Sequence, residues 1–237
     1  MKKALICAAL ATLGIVSCKK DDDQVVIEQE VKDINEQNAN DDKAIAKYLD
    51  EHYLDKLGRI MAFSTTSTDD DAFPKLSALN PKILPSGVVV ISRDGAQPTP
   101  GTTIGESDII RLMHTTTTLK SKVENNAVTY TEGMFVSTLQ STGVPQVDPQ
   151  FYYVTPEVVK ASGKPKSYFE IEGFQEGLKY FKSFDKPDSD SYNLQGVIIV
   201  PSRAAFARDD HYRYAQVSWR NQSFVFNFQV YKTTPRK

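Results

Sequence analysis

Chemistry near neutral pH needs side chains that take up a proton, ligate a metal or attack an electrophile, and this chain is poor in all three. Its histidines are His52, His114 and His211, and its cysteines are Cys7 and Cys18. A hydrolytic triad places a histidine between a nucleophile and a carboxylate, and no Gly-Xaa-Ser-Xaa-Gly elbow accompanies any of the three. Asp209-Asp210-His211 carries metal-ligating atoms, but neighbouring carboxylates diverge and no second cluster joins them, so no metal is expected. Glu170, Glu172 and Glu176 could be read as a glycosidase pair; their setting around a helix start makes dipole complementarity the better account. With no Walker or dinucleotide glycine pattern, no cofactor is expected. What the chain has instead is aromatic surface, 12 Phe and 11 Tyr. That inventory suits binding, or a reaction that needs no proton donor.

The elements that would position such residues begin after a leader. Met1 to Ser17 has a basic start, Lys2-Lys3, and an apolar run from Ala4 to Val16 that is too short for a membrane anchor. Residues 1–17 therefore read as an export signal. Ile15-Val16-Ser17-Cys18 resembles the lipobox of bacterial lipoproteins, which implies acylation of Cys18 as the lipid attachment and membrane anchor. With one thiol left after the signal, disulfide-scaffold and thioredoxin readings drop out. From Cys18 to Asp42 nine acidic residues stand against three lysines, so 18–41 is expected to be an acidic, flexible tether. Cys18-Lys19-Lys20-Asp21-Asp22-Asp23 is similar to the export signal of outer-membrane lipoproteins of the Bacteroidetes, which implies an outer-membrane lipoprotein facing the periplasm or the surface. Nucleic acid is excluded as a partner, because no dense basic stripe is present.

Beyond the tether, an Asp42 cap followed by Ile45, Tyr48, Leu49, Tyr53 and Leu57 predicts a helix ending at Gly58, and 42–86 is read as this helix with a connecting loop. From Gly87 the texture changes. Strands are predicted at Val88 to Ile91, Asp108 to Met113, Gln150 to Val154, Gly196 to Pro201 and Ser223 to Tyr231. A single helix, Gly173 to Phe184, interrupts them. The pattern implies an α+β fold, a twisted and mainly antiparallel sheet wrapped on one helix, over 87–237.

Within this region Phe169-Glu170-Ile171-Glu172-Gly173-Phe174-Gln175-Glu176-Gly177-Leu178 resembles the helix entry of FKBP-type peptidyl-prolyl isomerases. Val197-Ile198-Ile199-Val200-Pro201-Ser202, leading to Ala205-Phe206-Ala207, is similar to that family's apolar strand and Ala-Tyr-Gly turn, and Phe224 to Val230 to its last strand. Met134-Phe135-Val136-Ser137-Thr138 resembles its Phe-Asp-Ser-Ser element, with Val136 in place of the aspartate. Phe206 stands where the family has a tyrosine, and Met113 or His114 where it has another.

The resemblance implies a proline-binding cup built by Phe135, Val136, Phe174, Phe206 and Phe226 as catalytic residues, with His114, Phe151, Tyr153 and Ile171 as substrate-binding residues. It implies a rotamase acting on proline-containing polypeptide clients, a chaperone-like foldase for exported proteins. The altered Val136 and Phe206 support a second reading, an FKBP-like binding subunit of an outer-membrane secretion or insertion complex. No contact is assigned to the extra residues Thr155 to Lys166.

Overall fold

A computed structural model describes residues 33–209, 211 and 218–237. The expected leader, Cys18, residues 18–32 of the expected tether and Asp210 lie outside the described residues, whereas residues 34–41 of that expected tether are helical. The first helix, α1 (Ile34–Glu51), starts earlier than the periodicity predicted. Its cap is Asp33, which accepts from the Asn35 N–H, rather than Asp42. Tyr53, expected on this helix, lies instead in β1 (His52–Leu54), which pairs with β2 (Ile60–Ala62) as a small hairpin.

The remaining strands are β3 (Lys82–Ile83), β4 (Val89–Ser92), β5 (Thr102–Thr103), β6 (Ile109–Glu124), β7 (Ala127–Ser137), β8 (Gln146–Val147), β9 (Lys182–Ser183), β10 (Gly196–Val200) and β11 (Gln222–Thr234). The main sheet runs β3-β4-β10-β11-β6-β7, with β8 on β6, and all its pairings are antiparallel. Among the described residues the fold is thus mixed, an antiparallel main sheet with three α-helices. Asn125 and Asn126 both take positive φ, the geometry of a tight two-residue hairpin turn, and so join β6 to β7.

Two helices add to α1. The insertion read as extra chain forms α2 (Pro156–Ser162), capped by Thr155 and closed by Gly163 at φ 66°. The predicted helix from Gly173 is α3 (Glu172–Leu178), shorter than expected because the chain leaves it to enter β9. The predicted strand at Gln150–Val154 is a turn, fixed by the Tyr152 and Tyr153 N–H groups on the Pro149 carbonyl.

The sheet is covered on both faces, which is why β10 is buried at every residue and reads as an unbroken apolar run. On one face α3 packs over Phe224, Phe226, Phe228, Ile198 and Val200. It approaches closely because it carries no side chain where it meets β10. A Cβ at Gly173 would lie 2.4 Å from Val200 Cγ1, and one at Gly177 would lie 2.7 Å from Ile198 Cγ2. On the other face Ile45, Tyr48 and Leu49 of α1 pack on Val197, Ile199, Val225 and Val89. A polar contact fixes this second layer. Buried Asp41 accepts from Gln37 at 2.8 Å, from Ser121 at 2.7 Å and from the Ser202 hydroxyl, while Arg203 pairs with Asp42 at 2.7 Å.

Candidate functional site

Alternation along β11 puts Phe224, Phe226 and Phe228 on the α3 side, and the first turn of α3 lays Phe174 against them. Phe174 stacks on Phe226 with ring centroids 4.3 Å apart. Phe151, held beside them by its turn, lies 5.6 Å from Phe174 and 5.5 Å from Phe226. Ile171 closes this inner group and donates its N–H to the Phe151 carbonyl at 2.8 Å.

A second set of rings surrounds the first. Opposite Thr116 and Thr117 of β6, the register of β7 shifts by one residue between Val136 and Met134. This bulge turns Phe135 and Val136 together toward the α3 side, where both are half-buried. Phe135 meets Phe151 at 6.0 Å and Phe224 at 5.1 Å, both edge-on. Phe206 also stands edge-on to Phe224, at 5.6 Å, and stacks on His211 at 3.8 Å. The half-buried members Phe135, Val136, Ala204 and Ala205 form the margin of the cluster, whereas Phe151, Ile171, Phe174 and Phe226 are at most 2 % exposed.

Two of the expected substrate-binding residues flank the rings rather than standing among them. His114 faces the same layer, 5.5 Å from Phe151, but has no exposed surface. With its proton on Nε2 it donates to Gln146 Oε1 at 3.1 Å, and Nδ1 accepts from Thr116 at 2.7 Å. Burial pushes its pKa down to about 4, which keeps the ring neutral. Tyr153 sits at the outer edge beneath Arg236, whose guanidinium is 4.4 Å from the ring, with Lys166 at 5.1 Å. Its neighbour Tyr152 is the one in the core, and donates its hydroxyl to the Gly105 carbonyl. Burial raises the Tyr152 pKa, so this phenol is not a proton source near neutrality. Tyr152 and Tyr153 also line an adjoining cleft of about 500 Å³ with Glu170, Glu172, Gln175 and Lys179.

Known proteins place only a faint mark on this architecture. No protein-family model and no curated protein matches the chain. Among solved structures it is similar to a peptidyl-prolyl cis-trans isomerase from Pseudomonas syringae pv. tomato str. DC3000, 12% identical, covering 65% of this chain and 81% of that one with a TM-score of 0.35. A likeness that slight carries no weight for function, which has to be read from the residues.

Trp219, Phe224 and Tyr152 also belong to this layer, although the family resemblance assigns none of them a place in the cup. Trp219 packs edge-on against Phe135 at 5.1 Å and lies 6.1 Å from Phe224. The alternation that singled out Phe226 applies equally to Phe224. Trp219 precedes the strand and obeys no period; only its being the sole tryptophan draws the eye. Among the described residues no group of three or more His, Cys, Asp or Glu side chains could hold a metal. What the assembled residues offer is an aromatic wall with a narrow half-buried margin.

Proposed function

We propose that this chain is an FKBP-type peptidyl-prolyl cis-trans isomerase, anchored to the outer membrane through acylated Cys18, that assists the folding of exported or outer-membrane proteins. The observation that carries the reading is the convergence, from five separate segments of chain, of Phe135, Phe151, Ile171, Phe174, Phe206 and Phe226 in one layer. These are the positions at which the chain resembles the FKBP family. Isomerisation of an X-Pro bond breaks amide resonance over a barrier of roughly 18–20 kcal/mol, while cis and trans differ by only about 0.5–1 kcal/mol. No proton has to be moved. An apolar aromatic site favours the twisted amide, which has lost charge separation, over either planar form.

A specific observation favours a second reading, a binding subunit of an outer-membrane secretion or insertion complex with weak or no turnover. The inner rings are closed to solvent, and Val136 and Phe206 offer no polar group to a substrate. A protease-coupled assay on Phe-Pro tetrapeptides separates the two. The isomerase reading expects acceleration over background at micromolar chain, increased by Val136→Asp combined with Phe206→Tyr. No acceleration from the wild-type chain, with activity created only by that double substitution, would leave the binding reading.

A further inference from the structure

Buried polar atoms in folded proteins almost always have partners, and among the described residues the turn leading into β11 includes two uncharged side chains whose polar atoms lack one. Trp219 is 3 % exposed and its Nε1–H has no acceptor; two residues on, Oδ1 of buried Asn221 has no donor. An indole is a donor only, and a carboxamide oxygen an acceptor. Together they are the complement of peptide backbone, which presents a carbonyl oxygen and an N–H.

Their position matches that chemistry. The indole lies edge-on to Phe135, the half-buried ring at the margin of the aromatic cluster. The Asn221 N–H donates to the Ala207 carbonyl at 2.6 Å, which ties this turn to the residue after Phe206. Asn221 and Ala207 both have positive φ, 56° and 49°, a conformation ordinary for asparagine but uncommon for alanine. The two partnerless atoms thus belong to a turn fixed beside the ring that lacks a hydroxyl.

We infer that Trp219 and Asn221 hold the backbone of the proline-containing client. The indole Nε1–H donates to a client carbonyl oxygen, in place of the hydroxyl absent from Phe206, and Asn221 Oδ1 accepts a client N–H. Proline has no N–H, so that donor comes from a flanking residue. The inference rests on the isomerase reading and states how the same site grips its substrate.

Trp219 is the only tryptophan of the chain, so one ¹⁵N-labelled indole resonance reports on it. The purified full chain is titrated with a Phe-Pro tetrapeptide. The indole proton is expected to move downfield and to exchange more slowly with solvent as peptide binds. Trp219→Phe keeps a ring and removes the donor; it is expected to lower kcat/KM about tenfold, the loss of one substrate hydrogen bond, without lowering Tm. Asn221→Ala is expected to raise KM with less change in kcat. If peptide is turned over while the indole resonance stays fixed and Trp219→Phe keeps kcat/KM within about twofold, the inference fails and the isomerase reading stands. A Tm that falls together with the rate assigns the indole a structural role and also overturns it. No binding and no turnover in the wild-type chain defeats both.

Discussion

His114 gives the most direct handle on how this molecule is built, because a neutral imidazole held without solvent makes stability depend on pH in one direction only. Its folded pKa, about 4, lies below the ordinary value of 6.5, with burial as the main cause and the Gln146 hydrogen bond opposing it. The unfolded chain therefore binds the proton more readily. The contribution is fully present above pH 6.5 and is lost as pH falls toward 4. At about 1.36 kcal/mol per unit, some ~3 kcal/mol is at stake over the whole window, and ~2 kcal/mol by pH 5. Urea unfolding of wild type and His114→Gln at pH 7, 6 and 5 isolates this group, since other titrating residues act on both proteins alike. The wild-type advantage is expected to shrink by about 2 kcal/mol from pH 7 to 5. A gap that stays constant to within about 0.5 kcal/mol would refute the placement of a neutral, unsolvated ring between Thr116 and Gln146.

Two further outcomes test the frame around the site. Asp41→Ala is expected to lower urea-unfolding stability by about 1–3 kcal/mol, because the Ser121 and Ser202 hydroxyls lose a buried acceptor. Burial raises the Asp41 pKa despite these hydrogen bonds, so its protonation favours the fold as pH falls, opposite in sign to His114. Cys18→Ser is expected to abolish labelling by radioactive palmitate and to move the chain from the membrane to the soluble fraction; retention in the membrane would sink the anchoring proposal.

The strands that were legible are those whose side chains meet strong constraints. β10 betrays itself by its unbroken Val and Ile because both its faces are covered, and β11 by phenylalanines alternating toward α3. Gly173 and Gly177 could be noticed as a pattern, though only the 2.4 and 2.7 Å approaches explain them. The start of α1 was not legible. Gln37, Asn40 and Asp41 are buried through hydrogen bonds and packing rather than apolar character, so a polar stretch that resembles a tether folds as helix. Residues 150–154 failed for the opposite reason: a short aromatic run fits a strand or a turn equally well, and Pro149 decides it. β7 is an edge strand in which Ser137 alone is fully buried, which leaves little hydrophobic signal to read. Of the candidate site, the rings were visible and the register was not. Nothing in the composition announces the bulge that turns Phe135 inward or distinguishes Tyr152 from Tyr153.

The place of β11 in the sheet governs how this chain reaches its native state. The last strand in sequence is a middle strand in space, between β10 and β6, and its partners on β6 lie more than a hundred residues upstream. A nascent or translocating chain that still lacks its final residues has β4 and β10 on one side and β6 and β7 on the other, with no backbone to join them. Closure is therefore a late, long-range event, and topologies of that kind fold slowly. The same arrangement makes the C-terminus the keystone: loss of the last strand would split the sheet rather than shorten it.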